Sequence, residues 1–204
     1  MLKSKRYLLF FAVALTALVF SLTAPSWAAS MPGGHKPSED KRSAIEKVIP
    51  ESEKGLPDWS SREPLYLNNL RLYMTPGEIE QTLGKAKSIE EGFSVYDDNA
   101  IVFIRDDKLV NLSVSGDLDT WKLSQGGTCY AKIGDCENDV IKHLGKPIAC
   151  YAGDGKPLRI MLYSSPTADL GVSLLNGQVV GFMLTEPGLL GSSLIYGGYY
   201  VEAE

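Results

Sequence analysis

The feature that most constrains this chain is that it repeats itself. Residues 72–86 (Leu-Tyr-Met-Thr-Pro-Gly-Glu-Ile-Glu-Gln-Thr-Leu-Gly-Lys-Ala) lie 61 residues before 133–147 (Ile-Gly-Asp-Cys-Glu-Asn-Asp-Val-Ile-Lys-His-Leu-Gly-Lys-Pro), and both segments run through Leu-Gly-Lys. A fixed period makes the repeating unit, not the whole chain, the thing to be folded. A unit of roughly 60 residues buries too little apolar surface to be robust alone, so two such units are expected to pack together.

Each unit reads as a short helix followed by antiparallel strands. In the first, Thr75 is a good N-cap, Pro76 suits the first helical position, and Glu78 stands three residues after Thr75 as in a capping box. Ile79 and Leu83 form the buried stripe and Gly84 supplies the stop. In the second, Asp135 or Cys136 caps, Val140 and Leu144 repeat the stripe, Gly145 ends the helix, and Pro147 keeps it from resuming. The strands follow: 101–104, a polar corner at 105–108, then Val110, Leu112 and Val114 alternating with Asn111, Ser113 and Ser115, which predicts a hairpin with one wet face. The second unit has 172–175, the turn Asn176-Gly177, then Val180, Phe182 and Leu184. This hairpin sits 70 residues after the first, so nine extra residues fall around 152–157, ahead of a strand at 158–163 that matches 92–96. Three antiparallel strands per unit are expected.

The expected organisation is a signal peptide over 1–28, a flexible polar leader over 29–64, repeat 1 over 65–119, a linker over 120–127, repeat 2 over 128–186, and an aromatic, glycine-rich carboxyl-terminal segment over 187–204. Residues 1–28 combine a basic start at Lys3, Lys5 and Arg6, an apolar run from Tyr7 to about Leu22, and a small-residue end, Ser26-Trp27-Ala28. Cleavage near Ala28 sends the chain to the medium, the periplasm or the cell envelope, and an uncleaved signal segment is its one expected attachment to a membrane. The leader is broken by five prolines and holds too few apolar residues to offset its ordering entropy; a short helix at 41–49 is expected within it.

Charge excludes one class of partner. The full chain has 20 Lys and Arg against 25 Asp and Glu; with residues 1–28 removed, 17 basic groups remain against 25 acidic ones, a net charge of −8. Nucleic-acid affinity needs clustered basic charge, and nucleic acid is not an expected partner. Cys129, Cys136 and Cys150 lie within 22 residues. In an oxidising compartment one disulfide among them is expected, with three pairings open and one thiol left over.

The expected fold is thus α+β: two tandem helix-plus-antiparallel-meander repeats after a signal peptide and polar leader. From Gly134-Asp135 through Leu144-Gly145-Lys146-Pro147 and on to Asn176-Gly177-Gln178-Val179, the chain resembles the beta-lactamase-inhibitor-protein-like fold. That fold is similar in pattern to the SmpA/OmlA (BamE) small envelope lipoproteins. The resemblance covers 65–186, with Tyr73 where the turn glycine is expected and Ala86 where the proline is expected. It implies a sheet surface that binds another protein, as inhibitor or as assembly partner. No lipid-accepting cysteine is present near the cleavage point.

No residue is assigned a catalytic, metal-binding or cofactor-binding role. His143 is the only histidine of the repeat region and no Gly-x-Ser-x-Gly elbow accompanies it. The acids at 97–98, 106–107, 117 and 119 lack calcium-loop spacing and suit turns. Glu78, Glu80, Glu90 and Glu91 suit a solvated face, and Asn111-Leu112-Ser113 matches a glycosylation acceptor. Trp121 and Tyr163 are expected to pack, whereas Tyr196, Tyr199 and Tyr200, set among glycines, are the expected contact residues. The leading expectation is a non-enzymatic module that binds an unidentified protein through a sheet face or the carboxyl-terminal segment. A structural envelope component comes next, then a carboxylate hydrolase. The 187–204 segment itself is read as either a final strand closing a sheet or a flexible tail.

Overall fold

The computed structural model describes residues 56–90, 92–97, 99–153 and 157–202; the expected signal peptide, the expected helix at 41–49 and most of the expected leader lie outside them. The fold is α+β: antiparallel sheets with short helices. Helix α1 is Pro76–Leu83 and α2 is Glu137–Leu144, again 61 residues apart. Helix α1 starts as its sequence dictates: the Thr75 side chain accepts from the Glu78 amide, and the Glu78 carboxylate accepts from the Thr75 amide at 2.7 Å. Helix α2 has Cys136 as N-cap with no side-chain cap bond, because Asp135, the other candidate, accepts from the Lys132 amide instead. Gly84 and Gly145 end the helices at φ 76° and 81°.

Each helix is followed by four strands rather than the expected three. After α1 come β2 (Ser88–Glu90), β3 (Phe93–Val95), β4 (Ala100–Arg105) and β5 (Lys108–Ser115); after α2 come β8 (Ala149–Gly153), β9 (Leu158–Ser164), β10 (Asp169–Leu175) and β11 (Gln178–Thr185). The additional first strands, β2 and β8, are short and carry no alternating pattern of their own. Hairpins β4–β5 and β10–β11 turn on Asp106-Asp107 and Asn176-Gly177, all at positive φ, the geometry that matches strand twist. The acids at 106–107 are therefore turn formers, as their type predicts.

The expected linker at 120–127 is instead structural. It contains β6 (Lys122–Gln125), which pairs with β1 (Tyr66–Leu67) on one side and β7 (Thr128–Lys132) on the other, with a Gly126-Gly127 turn between β6 and β7. Trp121 is buried at its start. The end of the expected leader is also docked. Trp59 stacks on Tyr163 with ring centroids 5.1 Å apart and donates its indole N–H to the Leu144 carbonyl at 2.9 Å, and Gln125 donates to the Glu63 carbonyl. A large aromatic ring and one hydrogen bond suffice to hold a proline-broken segment in place.

The two meanders form one sheet. Its strand order is β12-β8-β9-β10-β11-β5-β4-β3-β2, with β12 (Tyr199–Val201) on one edge and β2 on the other, and β5 joined to β11 by antiparallel pairing from Thr185↔Asn111 to Gly181↔Ser115. One face carries the main core: Ile79, Val140 and Leu144 from the helices meet Val102, Leu112, Val172 and Phe182 from the strands, with Leu67, Trp121 and Leu123 from the small sheet. On the other face helix α3 (Leu190–Tyr196) places Leu190 and Leu194 against Ile160, Leu162 and Met183. Gly171 makes room for this, since a Cβ there would meet the Leu190 side chain at 3.0 Å.

The difference between the two helix starts makes a prediction. Thr75→Ala loses a formed capping box and is expected to cost about 1 kcal/mol, whereas Cys136→Ser supplies a missing cap and is expected to gain a comparable amount. Chemical denaturation of the two variants beside the parent chain checks both signs.

Candidate binding surfaces

The carboxyl-terminal segment is not a flexible tail: it forms a helix that its sequence pattern does not announce, α3, and then the closing strand β12, which pairs with β8 through Tyr199↔Gly153, Tyr200↔Ala152 and Val201↔Tyr151. Strand alternation then separates Tyr199 from Tyr200, while Tyr196 ends α3. Tyr199 points into the cluster under α3 and is 4% exposed, so it is not the contact residue its glycine neighbours suggest. Burial raises its phenol pKa. Tyr196 and Tyr200 are 64% and 53% exposed, and Ile195 and Val201 are exposed beside them. Four large apolar or aromatic side chains within seven residues thus reach solvent at the β12 edge of the large sheet.

This edge is held by an ion-pair network. Arg159 of β9 bonds the Glu202 carboxylate through Nε at 2.9 Å and the Glu137 carboxylate through Nη1 at 2.9 Å, while the Glu202 amide donates to the Cys150 carbonyl. One guanidinium therefore ties the end of β12 to the start of α2, with the bidentate geometry that makes arginine pairs specific.

The middle of the sheet face that carries α3 is polar. Across the strands runs the row Phe103, Asn111, Thr185, Asp169, Ser164, each paired with the next, and beside it the row Ile101, Ser113, Met183, Gly171, Leu162. The expected wet face of β5 is not wet: Asn111, Ser113 and Ser115 are buried. Their short side chains lie between bulky cross-strand neighbours, Phe103 and Ile101 on one strand and Met183 on the other, at pair distances of about 5 Å. Asn111 is therefore also withdrawn as a glycosylation acceptor. Asp169 accepts from Ser164 Oγ at 2.6 Å and from the Leu190 amide at 3.1 Å, so this buried carboxylate holds the start of α3. Asn111 takes a 3.5 Å bond from Ser113 Oγ on its carbonyl oxygen, but its Nδ2 has no acceptor, alone among the described buried side-chain polar atoms.

The cysteines do not pair. All three are free: Cys129 on β7 and Cys136 at the α2 start are exposed, and Cys150 on β8 is half-buried. They stand on three separate elements and form no disulfide. The Cys136 thiol donates to Asp139 at 2.9 Å, and burial pushes the Cys150 thiol pKa up. His143 is exposed on α2, and no group of three metal-ligating side chains occurs among the described residues. No helix among them is long and apolar enough to cross a membrane. Sequence reasoning missed the Arg159 network and the orphan Asn111 amide because both depend on which strands become neighbours.

No family model matches the chain, and no curated protein matches it. Two solved structures are similar in part. One is a cysteine-rich secretory protein of Staphylococcus aureus, at 14% identity and a TM-score of 0.46 over 72% of this chain and 55% of that one. The other is a DUF4309 family protein, YjgB, of Bacillus subtilis, at 13% identity and a TM-score of 0.41 over 66% of this chain and 90% of that one. The chain spans about half the length of the staphylococcal protein.

Two outcomes are expected from these sites. Native protein titrated with a chromogenic disulfide reagent at mildly alkaline pH should show two fast thiols, Cys129 and Cys136, and one slow thiol, Cys150, since only thiolate reacts and burial suppresses it there. The double change Asn111→Leu with Ser113→Ala, which removes the orphan donor together with the hydroxyl that would otherwise lose its acceptor, should stabilise the fold by about 1 kcal/mol in denaturant unfolding.

Proposed function

We propose that this chain is an exported, non-enzymatic module that binds a protein partner through its carboxyl-terminal surface. The observation that carries the reading is the exposure of Ile195, Tyr196, Tyr200 and Val201 together at the β12 edge of the large sheet. Tyrosine gives large contact area at low entropic cost, and an edge strand offers main-chain groups to an incoming strand. The Arg159 bonds to Glu202 and Glu137 support the same reading, because they hold that edge in register before any partner arrives.

In this reading residues 1–28 are a signal segment cleaved near Ala28, and the protein acts in the envelope, the periplasm or the medium. The two halves are tandem copies of one unit, of the beta-lactamase-inhibitor-protein-like kind. Support comes from the 61-residue offset of the helices, the 70-residue offset of the last hairpins, and one duplicated pair of backbone bonds. Tyr73 N–H donates to the Leu109 carbonyl and Leu109 N–H to the Met74 carbonyl; Gly134 and Val179, with Asp135, make the same exchange.

A photo-crosslinking side chain placed at Tyr200 in the full chain, in its native host, tests the proposal against the same probe at Lys142, an exposed position of α2. A discrete adduct at 200, absent at 142 and lost when Tyr196→Ser is added, is the expected result. Equal adducts at both positions, or none at 200, would remove the carboxyl-terminal surface as the site.

A further inference from the structure

Tyr73 is held in a backbone conformation that its side chain disfavours. Among the described residues seven non-glycines have positive φ; six are Asn or Asp, which tolerate it, and the seventh is Tyr73 at φ 67°. The corresponding position 61 residues on is Gly134, at φ 97°, where a Cβ would also run into the Leu118 side chain. Both residues make the same backbone bond to a strand, so a glycine would serve the turn at 73 as it does at 134. A bulky residue kept in a strained turn points to a use for the side chain rather than for the turn.

The use is visible in its surroundings. Tyr73, 41% exposed, lines a cleft of about 230 Å³ with Arg62, Arg71, Leu65, Leu72 and Ala168. Arg71 is half-buried and spends Nη1 on the Leu72 carbonyl at 3.2 Å, and neither Arg71 nor Arg62 forms an ion pair with a carboxylate among the described residues. The nearest acid that Arg71 influences, Glu78, is occupied by the Thr75 amide and hydroxyl, and Glu186, which acts on Tyr73, is bonded to Arg105 at 2.5 Å. Two guanidinium groups, exposed Arg62 and half-buried Arg71, with no ion pair among the described residues, thus border a cleft whose other walls are largely apolar. Burial and Glu186 raise the Tyr73 phenol pKa, which keeps the hydroxyl a donor at neutral pH.

We propose that this cleft binds a carboxylate carried on a small apolar body. Arg62 and Arg71 take the carboxylate, Tyr73 donates to it or covers the apolar part, and Leu65, Leu72 and Ala168 receive the remainder. The volume is below the roughly 300–1,000 Å³ typical of sites for drug-sized ligands, so the acid is small or is the end of a chain. Guanidinium forks suit a carboxylate, and apolar walls do not suit a fully hydrated inorganic anion. The site shares no residue with the α3–β12 surface and stands or falls independently of it.

The test is an amide-resolved NMR titration of the full chain with phenylacetate and with its neutral twin, phenylacetamide. Phenylacetate should saturate, shift amides at 71–73 and 167–168, and bind at least about tenfold tighter than the amide, as charge-assisted bonds require. Arg71→Met should weaken phenylacetate about tenfold. Tyr73→Gly should raise Tm, because it relieves the strained turn, while weakening phenylacetate by a similar factor; a merely structural tyrosine would not separate the two readouts. An acetylated dipeptide ending in phenylalanine distinguishes the sources: tighter binding than phenylacetate assigns the site to a chain terminus, weaker binding to a free acid, and either supports a carboxylate site. Equal affinity for phenylacetate and phenylacetamide, shifts scattered over the protein surface, no saturation, or unaltered binding by Tyr73→Gly would overturn the proposal.

Discussion

The antiparallel pairing of β5 with β11 is the contact on which the rest of the molecule depends. Each strand ends a meander, and each would otherwise present an open edge of alternating apolar residues, a liability that proteins manage by pairing or covering. Joined from Thr185↔Asn111 to Gly181↔Ser115, they place Val114 against Phe182 and Leu112 against Leu184. That contact makes a single core of two units that are each too small to exclude water well. Because strand side chains alternate, the same pairing sets Asn111 and Ser113 on the opposite face beside Thr185 and Met183.

The two faces consequently differ. One is filled by α1, α2 and the small three-stranded sheet through a core of aliphatic and aromatic side chains. The other is covered by α3 over β9 to β11, lined at the far end by Phe93, Ile101 and Phe103, and polar between. Burial of Asp169 is tolerable because Ser164 and the Leu190 amide satisfy it; burial of the Asn111 amide is not compensated, and an unmet donor of this kind costs about 1–3 kcal/mol. The molecule therefore carries two departures from local consistency, the Asn111 amide and the Tyr73 turn, and neither serves the core.

Local features were legible because local chemistry decides them. Thr75 and Glu78 close a capping box within one turn, Gly84 and Gly145 accept positive φ, and Asn176-Gly177 turns a hairpin whatever lies beyond it. The stripe of Val140 and Leu144 fell on the buried side of α2 for the same reason. Where the fold departs from the local pattern, the deciding partner is remote in sequence. Residues 120–127 lack a linker's freedom because β1 lies beside β6, and the end of the leader is ordered because Tyr163 offers Trp59 a ring to stack on. Tyr199 and Tyr200 are neighbours in a glycine-rich segment, yet the pairing of β12 with β8 sends one inward and leaves the other outside.

The sequence by itself determined where α1 and α2 begin and end and where the hairpins β4–β5 and β10–β11 turn, since dihedral preference and capping act over a few residues. Only the tertiary structure decided that the two meanders share one sheet, that the Asn111 amide nitrogen is buried without an acceptor, that three nearby cysteines form no disulfide, and that Arg62 and Arg71 border one cleft with Tyr73. Those outcomes rest on pairings between residues tens of positions apart. Their formation is governed by loop-closure entropy and by complementary burial across the whole fold, which no short window of residues records.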